Sequence, residues 1–263
     1  MSAYILNVQG LTMDFGGLRA VDHVDLCIDA GEIVALIGPN GAGKTTFFNC
    51  VTGIYKPAGG EIHIKAPGRD VEDIKGLRPH SVTSRGLART FQNIRLFQNM
   101  TVLENVMIGR DSRLETGILG AVLRHRKQRE EEERILYDSY NILKKIGLEK
   151  WVNDLARNLP YAAQRRLEMA RALATEPFLL LLDEPAAGMN PQETRRLVEL
   201  IKYLRASEGI SVFLIEHDMS LVMNLSERIY VMDYGKLIAH GKPQEIRNDP
   251  VVIKAYLGED ISA

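Results

Sequence analysis

Residues 33–45 read Ile33-Val34-Ala35-Leu36-Ile37-Gly38-Pro39-Asn40-Gly41-Ala42-Gly43-Lys44-Thr45, a short apolar run passing straight into G-x-x-x-x-G-K-[ST]. Without polar alternation, such a run predicts a strand buried on both faces. The glycines after it let the backbone curl so that successive N–H groups point inward as an anion nest. The helix expected from Lys44, carrying Phe47, Phe48 and Val51, places its positive end behind that nest. Phosphate groups suit this cradle. Gly38, Pro39, Asn40, Gly41, Ala42 and Gly43 would wrap them, Lys44 would reach the β- and γ-phosphates, and the Thr45 hydroxyl would ligate Mg²⁺, with Thr46 in the same binding set. The stretch predicts a nucleoside triphosphate site.

Bulk properties narrow the setting. A chain of 263 residues can hold one large domain or a domain with a lobe. With 45% hydrophobic and 25% charged residues it has the composition of a soluble globular protein. A net charge of −1 gives no bulk attraction to nucleic acid or to an acidic membrane surface. Cys27 and Cys50 lack metal or redox spacing and fit a reducing cytosol. The start, MSAYILNVQG, lacks the basic and apolar regions of a signal peptide. No stretch approaches the ~18 apolar residues of a membrane span, so work at a membrane would run through partners.

Outward from the loop, Ile5–Val8 and Val24–Ile28 alternate as strands, with turns at Phe15-Gly16-Gly17 and Ala30-Gly31. Lys56–Gly60 predicts a turn into a strand over Glu61–Ile64, and residues 66–80 read as surface loop. From Met100 to Leu159 the pattern turns helical. Thr101 with Glu104 is a capping box, Arg124–Glu133 is a charge-dense solvated face, and Ile135, Leu136, Ile142, Leu143 and Ile146 recur at helical spacing. Asn190-Pro191-Gln192-Glu193 opens another helix that runs to about Gly209. Val212–Ile215 predicts a buried strand, and Ile229–Met232 with Lys236–Ala239 a hairpin.

Phe178–Leu182 is a second run buried on both faces, and it ends in Asp183-Glu184. In a parallel sheet the C-terminal strand ends gather beside the phosphate loop. Asp183 there would hold the Mg²⁺ shell and Glu184 would polarise an attacking water. His217 follows the strand at 212–215 in the same way and is a candidate γ-phosphate contact.

The phosphate loop, Gln92 in Arg89-Thr90-Phe91-Gln92, Leu182-Asp183-Glu184-Pro185 and His217 stand in the order and spacing of ATP-binding-cassette (ABC) ATPases, which this chain resembles along nearly its whole length. Four segments, Thr90–Phe97, Asp183–Pro191, Ile215–Met219 and the tail Ala255-Tyr256-Leu257-Gly258-Glu259, resemble the cytoplasmic ATPase of branched-chain amino acid importers. The resemblance implies an α/β fold: a P-loop NTPase core with a parallel sheet, an antiparallel β subdomain and an α-helical subdomain at roughly 98–172, together making one ATPase domain. It also implies that ATP and Mg²⁺ bind, that Phe15 stacks on adenine, and that Gln92 touches Mg²⁺ or water and reports nucleotide state to a membrane subunit. The implied partners are a second ABC ATPase in a head-to-tail dimer, integral membrane permease subunits and, indirectly, a solute-binding protein. The implied location is the cytoplasmic face of the membrane, with no nucleic acid partner.

The family's signature, Leu-Ser-Gly-Gly-Gln, aligns with Leu159-Pro160-Tyr161-Ala162-Ala163, so the serine hydroxyl and both glycines are replaced. A helix from about Ala162 preserves the geometry, and the backbone of Ala162 and Ala163 is expected to contact the γ-phosphate held by a partner cassette. Asn190 stands where many relatives carry Asp. Import of urea or another amide, and export of a lipid or polysaccharide, use the same fold and are the alternatives. A soluble ABC protein acting on DNA or ribosomes would need arms, zinc insertions or a second cassette. A GTPase would need an Asn-Lys-x-Asp segment. Neither set of features is present.

Overall fold

The structure, a computed structural model, describes residues 4–111 and 126–257. Arg124 of the charge-dense run and Gly258-Glu259 of the tail lie outside the described residues. The chain divides into two units, Met1–Arg89 with Phe178–Ala263, and Thr90–Pro177.

The first unit opens with β1 (Tyr4–Phe15) and β2 (Leu18–Asp29), an antiparallel hairpin. Both strands run further than the alternation predicts, because bulges interrupt the pairing between Val8 and Leu11 and again near Met13. A bulge shifts the inward-facing set and breaks the period of two, which hides the continuation of a strand. Then follow β3 (Ile33–Ile37), α1 (Lys44–Val51) and β4 (Gly59–Ile64). The expected loop at 66–80 contains β5 (Glu72–Asp73) and the start of α2 (Pro79–Ser84). Single buried anchors, Ile74 and Val82, hold these pieces, and one anchor makes no periodic signal. β6 (Leu87–Arg89) closes this part of the chain.

The second unit holds α3 (Val102–Asp111), α4 (Arg126–Lys145) and α5 (Tyr161–Leu173). The capping box at α3 forms as predicted. The Thr101 amide donates to Glu104 at 2.7 Å and the Glu104 amide to Thr101 Oγ1 at 3.2 Å. On α4, Leu143 and Ile146 are buried, but Leu136 is half-exposed. Ser139 takes the buried position of that stripe instead, because the packed face of the helix passes through Ser139 and leaves Leu136 at its margin. Asn105, fully buried on α3, accepts from the Phe97 amide at 2.9 Å and donates to the carbonyls of Phe97 and Thr101, pinning the end of the segment that carries Gln92.

Back in the first unit come β7 (Leu179–Asp183), α6 (Pro191–Glu208), β8 (Ser211–Ile215), α7 (Met219–Leu225), β9 (Arg228–Asp233), β10 (Lys236–Gly241), α8 (Pro243–Arg247) and α9 (Pro250–Leu257). Asn190 caps α6 by accepting from the Gln192 and Glu193 amides at 3.0 Å, and Gly209 ends it in the left-handed conformation. One sheet has the order β2-β1-β4-β5. The other has the order β10-β9-β3-β8-β7-β6, parallel from β9 to β6 with β10 antiparallel at its edge. Every residue of β3, β7 and β8 is buried, which explains why they are apolar apart from Ser211 at the start of β8 and Asp183 at the end of β7. Phe48 packs on Phe213 with ring centroids 4.6 Å apart, fixing α1 against β8.

Burial in this core pushes the Cys50 thiol up to about 11, whereas Cys27 is only half-buried. Thiolate is the reacting species. At pH 8 a thiol-specific reagent should therefore label Cys27 alone in the folded chain and both cysteines in denaturant. Two equivalents in the folded chain would show that α1 opens.

Candidate active site

Parallel register places three strand ends together, because Leu36 of β3 and Asp183 of β7 both pair with Ile215 of β8. The phosphate loop, Asp183-Glu184 and Glu216-His217 therefore leave the sheet at one edge, the location expected for ligands in open α/β sheets.

The loop is shaped by backbone contacts that only glycine permits. Gly38 has φ 148°, and a Cβ there would stand 2.0 Å from the Met232 carbonyl oxygen of β9. A Cβ on Gly43, at φ 95°, would stand 2.3 Å from the Ala20 carbonyl oxygen of β2. The Ala42 carbonyl accepts from the Gly235 amide at 3.1 Å, which fastens the loop to the β9–β10 turn. Lys44 is almost wholly buried, with Nζ donating to the Gly38 carbonyl at 2.7 Å and the Pro39 carbonyl at 2.8 Å. Burial pushes its ammonium down from the ordinary lysine value, and the nearby Glu184 and Asp183 carboxylates oppose that shift. Thr45 is exposed on the first turn of α1, beside half-buried Thr46.

Glu184 has φ 48°, a left-handed conformation that costs a non-glycine residue about 1–2 kcal/mol. Its amide is held by the Ile215 carbonyl at 2.9 Å, and its Oε1 lies 2.8 Å from His217 Nε2. The two candidates predicted separately from the ends of β7 and β8 thus touch. Between them the structure adds a residue of the segment Ile215–Met219 to which the sequence assigned no role. Glu216, buried, accepts from the Ala186 amide at 2.8 Å through Oε1 and from the His217 amide at 3.0 Å through Oε2. Burial pushes its carboxyl above the usual range, while those amides pull it back. Glu216 thereby locks the turn after Glu184 to the segment bearing His217.

Asp183 is buried and paired with Arg89, Nη2 to Oδ2 at 2.6 Å. The other terminal nitrogen of Arg89, Nη1, donates to Asn49 of α1 at 2.7 Å and to Thr52, which caps that helix, at 3.0 Å. A guanidinium anchored on both sides therefore sets the rotation of the carboxylate expected to face the metal. The role of Arg89 is legible only in tertiary contacts, since the motif that contains it, Arg89-Thr90-Phe91-Gln92, points to Gln92 and names no carboxylate partner for the Arg. Phe15 is half-exposed at the β1–β2 tip and meets Tyr55 edge to face at 5.3 Å, leaving ring surface for a stacking partner.

Gln92, Ala162 and Ala163 belong to the second unit. Gln92 is exposed. In the first turn of α5 the Ala163 amide already donates to the Pro160 carbonyl at 2.9 Å, so Ala162 is the better placed of the two expected donors.

The ABC transporter family profile matches residues 21–187, which span the phosphate loop, Gln92 and Glu184. The chain belongs to the ABC transporter family. A second profile, branched-chain amino acid ATP-binding cassette transporter, matches residues 236–262. The high-affinity branched-chain amino acid transport ATP-binding protein LivG of Escherichia coli (strain K12) is 49% identical over 98% of this chain and 100% of its own length. BraF of Pseudomonas aeruginosa, which carries the same description, is 47% identical over the same shares. Among solved structures, the ADP conformation of an ATP-binding cassette of an ABC transporter superposes with a TM-score of 0.83 at 31% identity, covering 97% of this chain and 99% of that one. The chain is thus an ATPase with the ABC cassette fold, and it binds nucleotide as a transporter component. Among the described residues no helix is long and apolar enough to cross a membrane.

Proposed function

We propose that this chain powers import of branched-chain or other neutral amino acids, docked on permease subunits at the cytoplasmic face of the membrane. The observation that carries the reading is the near-full-length likeness to LivG and BraF, together with the match of the C-terminal profile over 236–262. That terminal segment lies beyond the part matched by the general family profile.

The site chemistry supports ATP hydrolysis with Mg²⁺. The Thr45 hydroxyl and the Asp183 carboxylate are hard oxygen donors of the kind that Mg²⁺ takes alongside phosphate oxygens, and the glycine cradle suits a triphosphate. When bound, the metal neutralises charge developing on the phosphates. Lys44 and the loop amides hold the β- and γ-phosphates. Glu184 orients the attacking water and accepts its proton, and His217, bonded to Glu184, fixes that carboxylate and faces the γ-phosphate. Gln92 carries nucleotide state toward the permease, and Phe15 stacks on adenine. The first turn of α5, through the Ala162 amide, closes over the ATP of a second cassette in a head-to-tail dimer.

Uptake assays in cells lacking this chain test the reading. Loss of ATP-dependent leucine, isoleucine and valine uptake, restored by the wild-type chain and not by Glu184→Gln, is expected. Unchanged uptake of those solutes with lost uptake of urea would overturn the assignment of solute.

A further inference from the structure

Gln92 follows Phe91, and both polar groups of the Phe91 backbone are gripped by one helix of the second unit. Arg165 Nη1 on α5 donates to the Phe91 carbonyl at 2.9 Å. Glu168 Oε1, one turn on, accepts from the Phe91 amide at 3.3 Å and the Arg95 amide at 3.4 Å. On its other side the Arg165 guanidinium is seated on the Tyr161 hydroxyl, with Nε at 3.1 Å and Nη2 at 2.9 Å. Tyr161, Arg165 and Glu168 stand at i, i+4 and i+7, on one face of the helix.

These contacts are unusual for a loop. Loop backbone ordinarily satisfies its polar groups with water at the surface. Here an ion pair does so, its side chains only 5% and 2% exposed and Arg165 Nη1 lying 3.9 Å from Glu168 Oε2. Among the described residues the buried Glu168 Oε2 finds no hydrogen-bond partner. A buried, incompletely satisfied ion pair is a poor source of stability, since desolvation offsets its attraction. What it does supply is a fixed position for the peptide it holds.

We propose that Arg165, seated by Tyr161 and paired with Glu168, is a positioning residue for Gln92. The path Phe91–Arg165–Tyr161 then ties the Gln92 loop to the first residue of the helix that begins at the divergent signature. Tyr161 thereby acquires a role of its own at the altered signature, because its hydroxyl turns inward to seat Arg165. The inference rests on the reading of Gln92 as a residue of the hydrolytic cycle.

The test is a double-mutant cycle on the full chain with Gln92→Ala, Arg165→Lys and their combination. It reads kcat and KM for ATP and, separately, hydrogen exchange at the amides of residues 91–95. Arg165→Lys keeps the charge but loses the fork. It should lower kcat about tenfold with KM changed less than about twofold, as expected when a positioned group is displaced. Exchange at the Phe91 and Arg95 amides should rise, and the loss should not deepen in the Gln92→Ala background. Tyr161→Phe, a milder change at a half-exposed side chain, should move both readouts in the same direction and serves in the cycle if Arg165→Lys does not fold. Additive losses, or a lower kcat with unaltered loop exchange, would show a general structural defect and overturn the proposal. Gln92→Ala with unchanged kcat would instead remove the role of Gln92, and the positioning role with it.

Discussion

Glu184→Gln should lower single-turnover ATP hydrolysis about 10³-fold while leaving equilibrium ATP affinity nearly unchanged, because a general base contributes roughly 10²–10⁴-fold to rate. Gln keeps the shape of the side chain and can still bond to His217, which lies 2.8 Å from Oε1. It cannot accept a proton from water. The phosphate loop is shaped by close backbone approaches to Met232 and Ala20 and by the Gly235 amide bonded to the Ala42 carbonyl. Binding and chemistry should therefore separate. Rapid-quench measurement on the variant, beside a fluorescent-ATP titration, checks this. Hydrolysis within tenfold of wild type would mean that the base lies elsewhere, and the left-handed strain at Glu184 would need another explanation.

Lys44→Ala should act at the opposite step and weaken ATP binding about 100-fold, since each lost charge-assisted hydrogen bond to phosphate is worth roughly 1.5–3 kcal/mol. The ammonium is buried and already aimed by the Gly38 and Pro39 carbonyls, so little ordering remains to be done when phosphate arrives. Removing it also takes a positive charge away from the neighbourhood of Asp183 and Glu184. The titration that leaves Glu184→Gln unchanged should thus fail to saturate for Lys44→Ala at micromolar nucleotide. An affinity within threefold of wild type would show that the loop amides and helix end hold the phosphates alone.

Much of this site is legible in the chain because it is built from contiguous residues. The loop at 38–45 is one segment, and Asp183, Glu184 and His217 each end a run so apolar that only a buried strand explains it. The capping boxes at Thr101 and Asn190 are readable for the same reason, since their partners lie three residues apart. Leu136 shows the limit: helical spacing alone does not reveal that Ser139 takes the buried position.

The sequence by itself determined the phosphate loop, the buried parallel strands, the acidic strand end and the family, all of them properties of local order. Only the tertiary structure decided which strand ends meet, and so brought His217 to Glu184 and Arg89 to Asp183 across 33 and 94 residues of chain. It alone revealed Glu216 as the lock between two turns and Arg165 as the grip on Phe91. The physical reason is that a buried charge is placed by its partners. Those partners are chosen by strand register and helix packing, which no short stretch of residues encodes.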